Sequence, residues 1–371
     1  MSRGKSNSKT SLHHLRMAIV LLVLWFVLGL TSCGDFIPEK LPKVPRTHGY
    51  YDLRGSIHVH SNRWKRFKDG CGTIDEIRAK ADSTGLDFVV LTDYNHRSKS
   101  LDSSGVIVIG GEEFGGNGHL LGIGHRSDFT SRQTREALAN HIRSAGGLAI
   151  AAHPLHPKYP FPAEALPAMD GMEVYSLSHD IDEEGFLVYV LKLLIFPLNR
   201  FGVLKSAVDA PHSALKIYDH LLEKTDLLGV GSTDAHGCFG LDYTIAFSIV
   251  QTHVLARDRS VNGVIEAFRS RRAYISFEYL HPVEKFEFLA ISGNTTSAMG
   301  STVPLKHDLR FLISVVPSAE VTLLRHGAVA GKWENTENVS IQVDQPGVYR
   351  VEVCLRGKTW ILSNPIRVME K

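Results

Sequence analysis

His58 and His60 stand two residues apart in the run RGSIHVHS, and Asp234 and His236 repeat that spacing in LLGVGSTDAHG. Residues i and i+2 of an extended chain point to one face, so each pair can grip a single ion. Asp93, Glu113, His119 and His153 add two carboxylates and two imidazoles. This mixture of nitrogen and oxygen donors suits Zn, Mn or Fe rather than an all-oxygen calcium cage. One ion takes about four to six donors, so the surplus argues for two or three divalent ions close together. Cations that share a water lower its pKa toward about 7, which supplies a hydroxide nucleophile at neutral pH.

Donors scattered over so much chain must be carried to one place. Seven short apolar runs do this: RGSIHVHS, DFVVLTDYNH, VIVIGGEEF, GHLLGIG, LAIAAHP, DGMEVYS and LLGVGSTDAHG, each with a histidine, aspartate or glutamate at or near an end. Strands that deliver ligands from their C-terminal ends are how a β/α barrel builds a site. Thr73 and Glu76 form a T-x-x-E capping box, which starts a helix that stops at Gly85. Further helices are expected over residues 132–144, ending at Gly146 and Gly147, and over residues 213–223, so that strand and helix alternate. Residues 186–198, FLVYVLKLLIFPL, contain Lys192 and Pro197 and are too short and interrupted for a membrane span. They read as a buried helix, with a lid or lipid-facing patch as the alternative.

In chain order HVHS, LTDYNH, GGEEF, GHLLGIG, AAHP and GSTDAHG resemble the successive motifs of the PHP (polymerase and histidinol phosphatase) phosphoesterase superfamily, over most of residues 50–277. The resemblance implies an α/β fold, a distorted seven-stranded TIM-like β/α barrel with two or three metal ions at its C-terminal mouth. It implies a first metal held by His58, His60, Glu113 and Asp234, and a second held by Glu113, His119 and His153, with Glu113 as the bridge. The family's glycine, any residue, glutamate pattern falls on Gly111, Glu112 and Glu113, which turns Glu112 the other way. A third site would use Asp69 and His236, but its middle place holds Tyr94 where the family has histidine. Three arrangements stay open: Tyr94 binds as a phenolate, His96 swings in instead, or the protein works with two ions.

Other residues are assigned supporting parts. Asp93 is expected beside the reacting groups as an acceptor that orients a ligand, the common task of a carboxylate near metal-bound imidazoles. Glu173 in GMEVYS is an acceptor at the mouth, and His156 either contacts substrate or is exposed. The loop NRWKRFKDG carries Arg63, Lys65, Arg66 and Lys68. There Arg63 and Arg66 would steer a phosphoester and neutralise its developing charge, or else the loop is simply solvated. Cys71 lies two residues after Asp69 and Cys238 two after His236. A disulfide and two free thiols are both open.

Where the protein works is written at its start. Arg3, Lys5, Lys9 and Arg16 precede the uncharged stretch MAIVLLVLWFVLGL, the layout of a signal peptide. Leu30, Thr31, Ser32 and Cys33 resemble the lipobox of bacterial lipoproteins, which implies lipidation at Cys33 and attachment to a membrane. Residues 1–33 are thus a lipoprotein signal, and 34–49, with Pro38, Pro42 and Pro45, an extended tether. Residues 50–282 suit one barrel. Residues 283–371 alternate in the manner of strands buried on one side, as in VYRVEVCL, and suggest a small Ig-like β-sandwich of about six strands. Lys and Arg number 41 against 39 Asp and Glu, and hydrophobic residues make up 43%. That balance describes a globular chain without the basic signature of an obligate nucleic-acid partner. The expected function is an exported, lipid-anchored, metal-dependent hydrolase on the periplasmic or cell-surface side. A phosphoesterase using a metal-bridged hydroxide comes first. The same centre suits ester or amide hydrolysis, and a non-catalytic glycan-binding surface lipoprotein is the reading from another class.

Overall fold

The computed structural model describes residues 16–25, 48–62, 69–102, 105–177, 208–238 and 242–370. Cys33, Arg63, Arg66, most of the tether and the apolar run 186–198 lie outside them. Residues 16–25 are helical, and no helix among the described residues is long and apolar enough to cross a membrane. The chain divides into two compact units, Met1–Phe36 with Asp180–Val208, and Ile37–His179 with Asp209–Lys371. The strands and described candidate ligands belong to the second.

That unit is a mixed α/β fold. All seven apolar runs form strands: β1 (Tyr51–Val59), β2 (Phe88–Leu91), β3 (Ile107–Phe114), β4 (Leu120–Ile123), β5 (Leu148–Ala151), β6 (Gly171–Ser176) and β7 (Leu228–Ser232). β1, β2 and β3 pair in parallel, as do β5, β6 and β7. Beyond β7 the chain returns to β1, with Ala235 N donating to His58 O at 3.1 Å and His60 N to Ala235 O at 2.9 Å. Leu53, Ile57, Phe88, Ile109, Ile150 and Val230 from these strands are fully or almost fully buried together.

Among the described residues no helix separates β2 from β3 or β3 from β4, and at the second of these the strand direction reverses. β4 runs antiparallel to both β3 and β5. Five residues, 115–119, join it to β3, whereas a parallel crossover needs a dozen or more. The reversal puts the start of β4, with His119 just before it, beside the C-terminal end of β3.

The helices begin and end where their caps dictate. Thr73 and Glu76 form the reciprocal capping box before the helix Ile74–Ser83, and Gly85 leaves it with φ +81°. The second helix runs Arg135–Ser144, starting later than the spacing suggests because Thr134 accepts from Ala137 N as its cap. A third covers His212–Leu222.

Two strands not expected from the pattern extend the sheet: β8 (Gln251–Ala256) pairs antiparallel with β1, and β9 (Ala273–Ser276) antiparallel with β8. The tail adds β10 (Lys285–Ser292), β11 (Thr295–Ala298), β12 (Thr302–Pro304), β13 (Arg310–Arg325), β14 (Ala328–Gln342), β15 (Gly347–Leu355), β16 (Lys358–Ser363) and β17 (Ile366–Met369). The runs DLRFLISVV and AEVTLLRHG share one long strand, β13, whose first half pairs with β10 and second half with β15. In β15, Tyr349, Val351, Val353 and Leu355 are buried as the alternation requires.

The tail is built onto strands β7 and β9. β16 pairs with β9, joining the seventeen strands of the described residues into one hydrogen-bonded sheet. The Asn364 side chain mimics a strand, accepting from Gly229 N and donating to Gly229 O of β7, each at 2.8 Å. Arg350 grips Asp219 of the helix His212–Leu222 at 2.6 and 2.7 Å. A boundary at residue 282 therefore separates two cores but not two sheets.

Candidate metal centre

The first ligand pair does not arise from a regular strand. The pairing register of β1 shifts between Ser56 and Val59, and His58 has φ +63°. This bulge re-aims the side chain, and both imidazoles enter one cluster with ring centroids 5.0 Å apart. Asp234 and His153 also have positive φ, +47° and +25°. Left-handed backbone at non-glycine residues costs free energy and gathers at functional sites.

Among the described residues, three groups of possible ligand atoms each lie within 4.8 Å of one another: His58, Glu113 and His153; His58, His60 and Asp234; His60, Asp69 and His236. Asp234 Oδ1 stands 3.3 Å from His58 Nε2, 3.0 Å from His60 Nε2 and 3.3 Å from His236 Nε2. Glu113 Oε1 stands 3.4 Å from His58 Nε2, 2.7 Å from His119 Nδ1 and 3.5 Å from His153 Nε2. Glu113 Oε2 lies 3.6 Å from His60 Nε2. The proposed bridge therefore touches both ligand sets. Glu112 faces away on the alternating strand, where burial followed by Asp128 pushes its carboxyl up to about 8.

The far nitrogens of three imidazoles fix their tautomers. His58 Nδ1 meets Glu173 Oε1 at 2.8 Å, His60 Nδ1 meets Asp69 Oδ2 at 2.6 Å, and His236 Nδ1 meets the Asp69 carbonyl at 2.6 Å. Carbonyls and carboxylates only accept, so each Nδ1 carries a proton, which leaves Nε2 as the nitrogen that can present a lone pair to an ion in the cluster. His58 Nε2 and His60 Nε2 are buried without a hydrogen-bond partner among the described residues. Buried lone pairs aimed at carboxylates are what a divalent cation satisfies, so the residues present fit such an ion.

The charges agree. Burial alone would push the His60 imidazole down, but Asp234 and Asp69 hold it up at about 10. Burial would likewise raise Glu113 and Asp234, yet His58 and the imidazoles beside it keep both carboxyls well below the usual range. Positive charge is favoured at the centre of this cluster. Exposure is graded across it: the His58 and His60 side chains are 0% and 1% exposed, and His236 is 42% exposed.

Several assignments change. Asp93 orients no imidazole; it accepts from Ser61 N at 2.5 Å, Ser61 Oγ at 2.9 Å and Ser98 Oγ at 2.7 Å, and so ties down the chain after His60. The carboxylates that orient imidazoles are Glu173 and Asp69. Glu173 also accepts from His153 N at 2.6 Å. Tyr94 donates its backbone N to Asp69 Oδ2 at 2.6 Å, and its ring lies 5.6 Å from His119. His96 belongs to none of the three groups. His156 is buried, its ring 5.1 Å from His153 and 5.4 Å from the exposed Tyr159. Of the two open states of the cysteines, the disulfide is present between Cys71 and Cys238. Tyr243, which no motif marks, places its hydroxyl 2.6 Å from His60 O and 2.9 Å from His236 O.

No protein-family model matches the chain. The uncharacterized protein MJ1587 of Methanocaldococcus jannaschii is 28% identical over 143 residues, 34% of this chain and 84% of that one. A crystal structure from Bacteroides vulgatus, described as a two-domain protein containing a predicted PHP-like metal-dependent phosphoesterase, superposes with a TM-score of 0.45 and 17% identity. It covers 90% of this chain and 100% of that one.

Proposed function

We propose that the protein is a PHP-type, metal-dependent phosphoesterase, with the β1–β7 strands as its distorted β/α barrel. The observation that carries this reading is the convergence of His58, His60, Glu113, His119, His153 and Asp234, from five separate segments, with two buried Nε2 atoms that have no hydrogen-bond partner among the described residues. His58, His60, Glu113 and Asp234 would hold one divalent ion, and Glu113, His119 and His153 a second. Such ions, when bound, supply Lewis acidity and a water acidic enough to attack at neutral pH.

The chain's own residues do the rest. Glu173 and Asp69 hold the His58 and His60 rings with Nε2 inward. Strands bury these rings, which excludes bulk water and strengthens every charge interaction there. The exposed His236 edge is where an anionic substrate can enter. Arg63 and Arg66, in the loop before Asp69, would meet its phosphoryl oxygens, Cys33 would carry the lipid, and the tail would brace β7 and β9. The working place would be the periplasmic or cell-surface side.

The test is the metal content of the full chain, paired with hydrolysis of an aryl phosphate and an aryl ester before and after chelation. Two or three transition-metal ions per chain with chelator-sensitive phosphate release are expected. Ester turnover without phosphate release would move the reading to an acyl hydrolase, and a metal-free, inactive protein would overturn it.

A further inference from the structure

The candidate centre has two differently built halves. His58, Glu113 and Glu173 stand on strands and are buried. Asp69 and His236 stand outside the strands, nearer solvent, and their side chains are 16% and 42% exposed. The contacts that locate this second half cluster around the disulfide. Cys71 N donates to His236 O at 2.8 Å, His236 Nδ1 to Asp69 O at 2.6 Å, and Gly70 N to Ser61 O at 3.0 Å. The Cys71–Cys238 bond closes the same bundle covalently across 167 residues of sequence, two residues beyond each ligand. Cys71 is exposed, so a solvent thiol can reach the bond.

We propose that Cys71 and Cys238 are positioning residues whose bond is a redox-sensitive clamp. It holds Asp69 and His236 in register with His60, and an ion held by these three residues is lost or weakened once the bond opens. The proposal rests on the metallohydrolase reading. Opening the clamp takes two electrons and two protons: a dithiol reductant breaks the sulfur–sulfur bond, leaves two thiols on the protein and closes to its own cyclic disulfide.

The experiment uses the full chain loaded with Mn²⁺ or Zn²⁺ alone, in oxidised form, after dithiothreitol, and as the double variant Cys71→Ser, Cys238→Ser. Ions per chain are counted after gel filtration, and amide hydrogen exchange is followed on the same samples. The expected result is one ion fewer, or one bound about tenfold more weakly, in the reduced and variant proteins. Faster exchange should be confined to residues 69–72 and 234–238, and reoxidation should restore the wild type. Equal ion content with and without the bond would overturn this inference alone, as would loss of every ion from a reduced protein that stays folded. Should the double variant not fold, exchange in the reduced wild type decides: loosening of the two loops supports the clamp, and global unfolding overturns it. An oxidised protein that binds no ion would instead overturn the underlying metallohydrolase reading.

Discussion

Glu173 receives two donors at once, His58 Nδ1 at one oxygen and the backbone N of His153 at the other. A carboxylate can do this; an amide cannot, because its NH₂ end would face a donor. Glu173→Gln keeps the shape but must lose one of the two bonds, and it frees the tautomer of His58 or the backbone before His153. Metal affinity, measured by competition with a chromogenic chelator, is expected to fall about 10- to 100-fold while the fold is retained. Tyr243→Phe probes the other shell of the cluster. It removes only the hydroxyl shared by His60 O, His236 O and Gly72 N, and should cost about 1–3 kcal/mol in urea unfolding.

At the scale of elements, β1, β8 and β9 are locked by a buried polar group away from the centre. His253 Nδ1 lies 2.9 Å from Asp52 and its Nε2 3.4 Å from Glu278, while Tyr274 donates to Asp52 at 2.7 Å. Burial pushes this histidine down, but Asp52 and Glu278 outweigh it and hold it above its ordinary value. Burial would raise Glu278, and His253 keeps it below its ordinary value. The histidine's contribution is then complete below about pH 6.5 and is lost as pH rises through its folded pKa. Glu278's contribution is lost as pH falls below about 4.5. The stability gap between wild type and His253→Gln, from urea unfolding, should therefore be larger at pH 6 than at pH 9. A gap independent of pH would show the histidine to be neutral in the folded protein.

Across the whole molecule, the tail is part of the support of β7 and β9. A chain ending at residue 282 would leave β9 without β16 and Gly229 without Asn364, and it would expose Tyr274, which belongs to the tail's core. Such a chain is expected to be insoluble or unfolded by circular dichroism. A gentler probe is Arg350→Ala, which strands the mostly buried Asp219 carboxylate. It should destabilise the full chain by about 3–5 kcal/mol in urea unfolding.

The sequence by itself determined the seven strands, the two capped helices and the residues whose chemistry suits a metal, because apolar period, caps and side-chain chemistry are local properties. Only the tertiary structure decided that β4 runs antiparallel, that His58 sits on a bulge, and that β9 joins the tail, since pairing direction and register depend on partners distant in sequence. It also decided the division of labour among carboxylates. Asp93 and Glu173 look alike in the chain, but the neighbours brought in by folding make the first a tether for Ser61 and the second the partner of His58. For the same reason Tyr243 was invisible: a tyrosine in a short helix becomes a hub only when His60 and His236 arrive beside its hydroxyl.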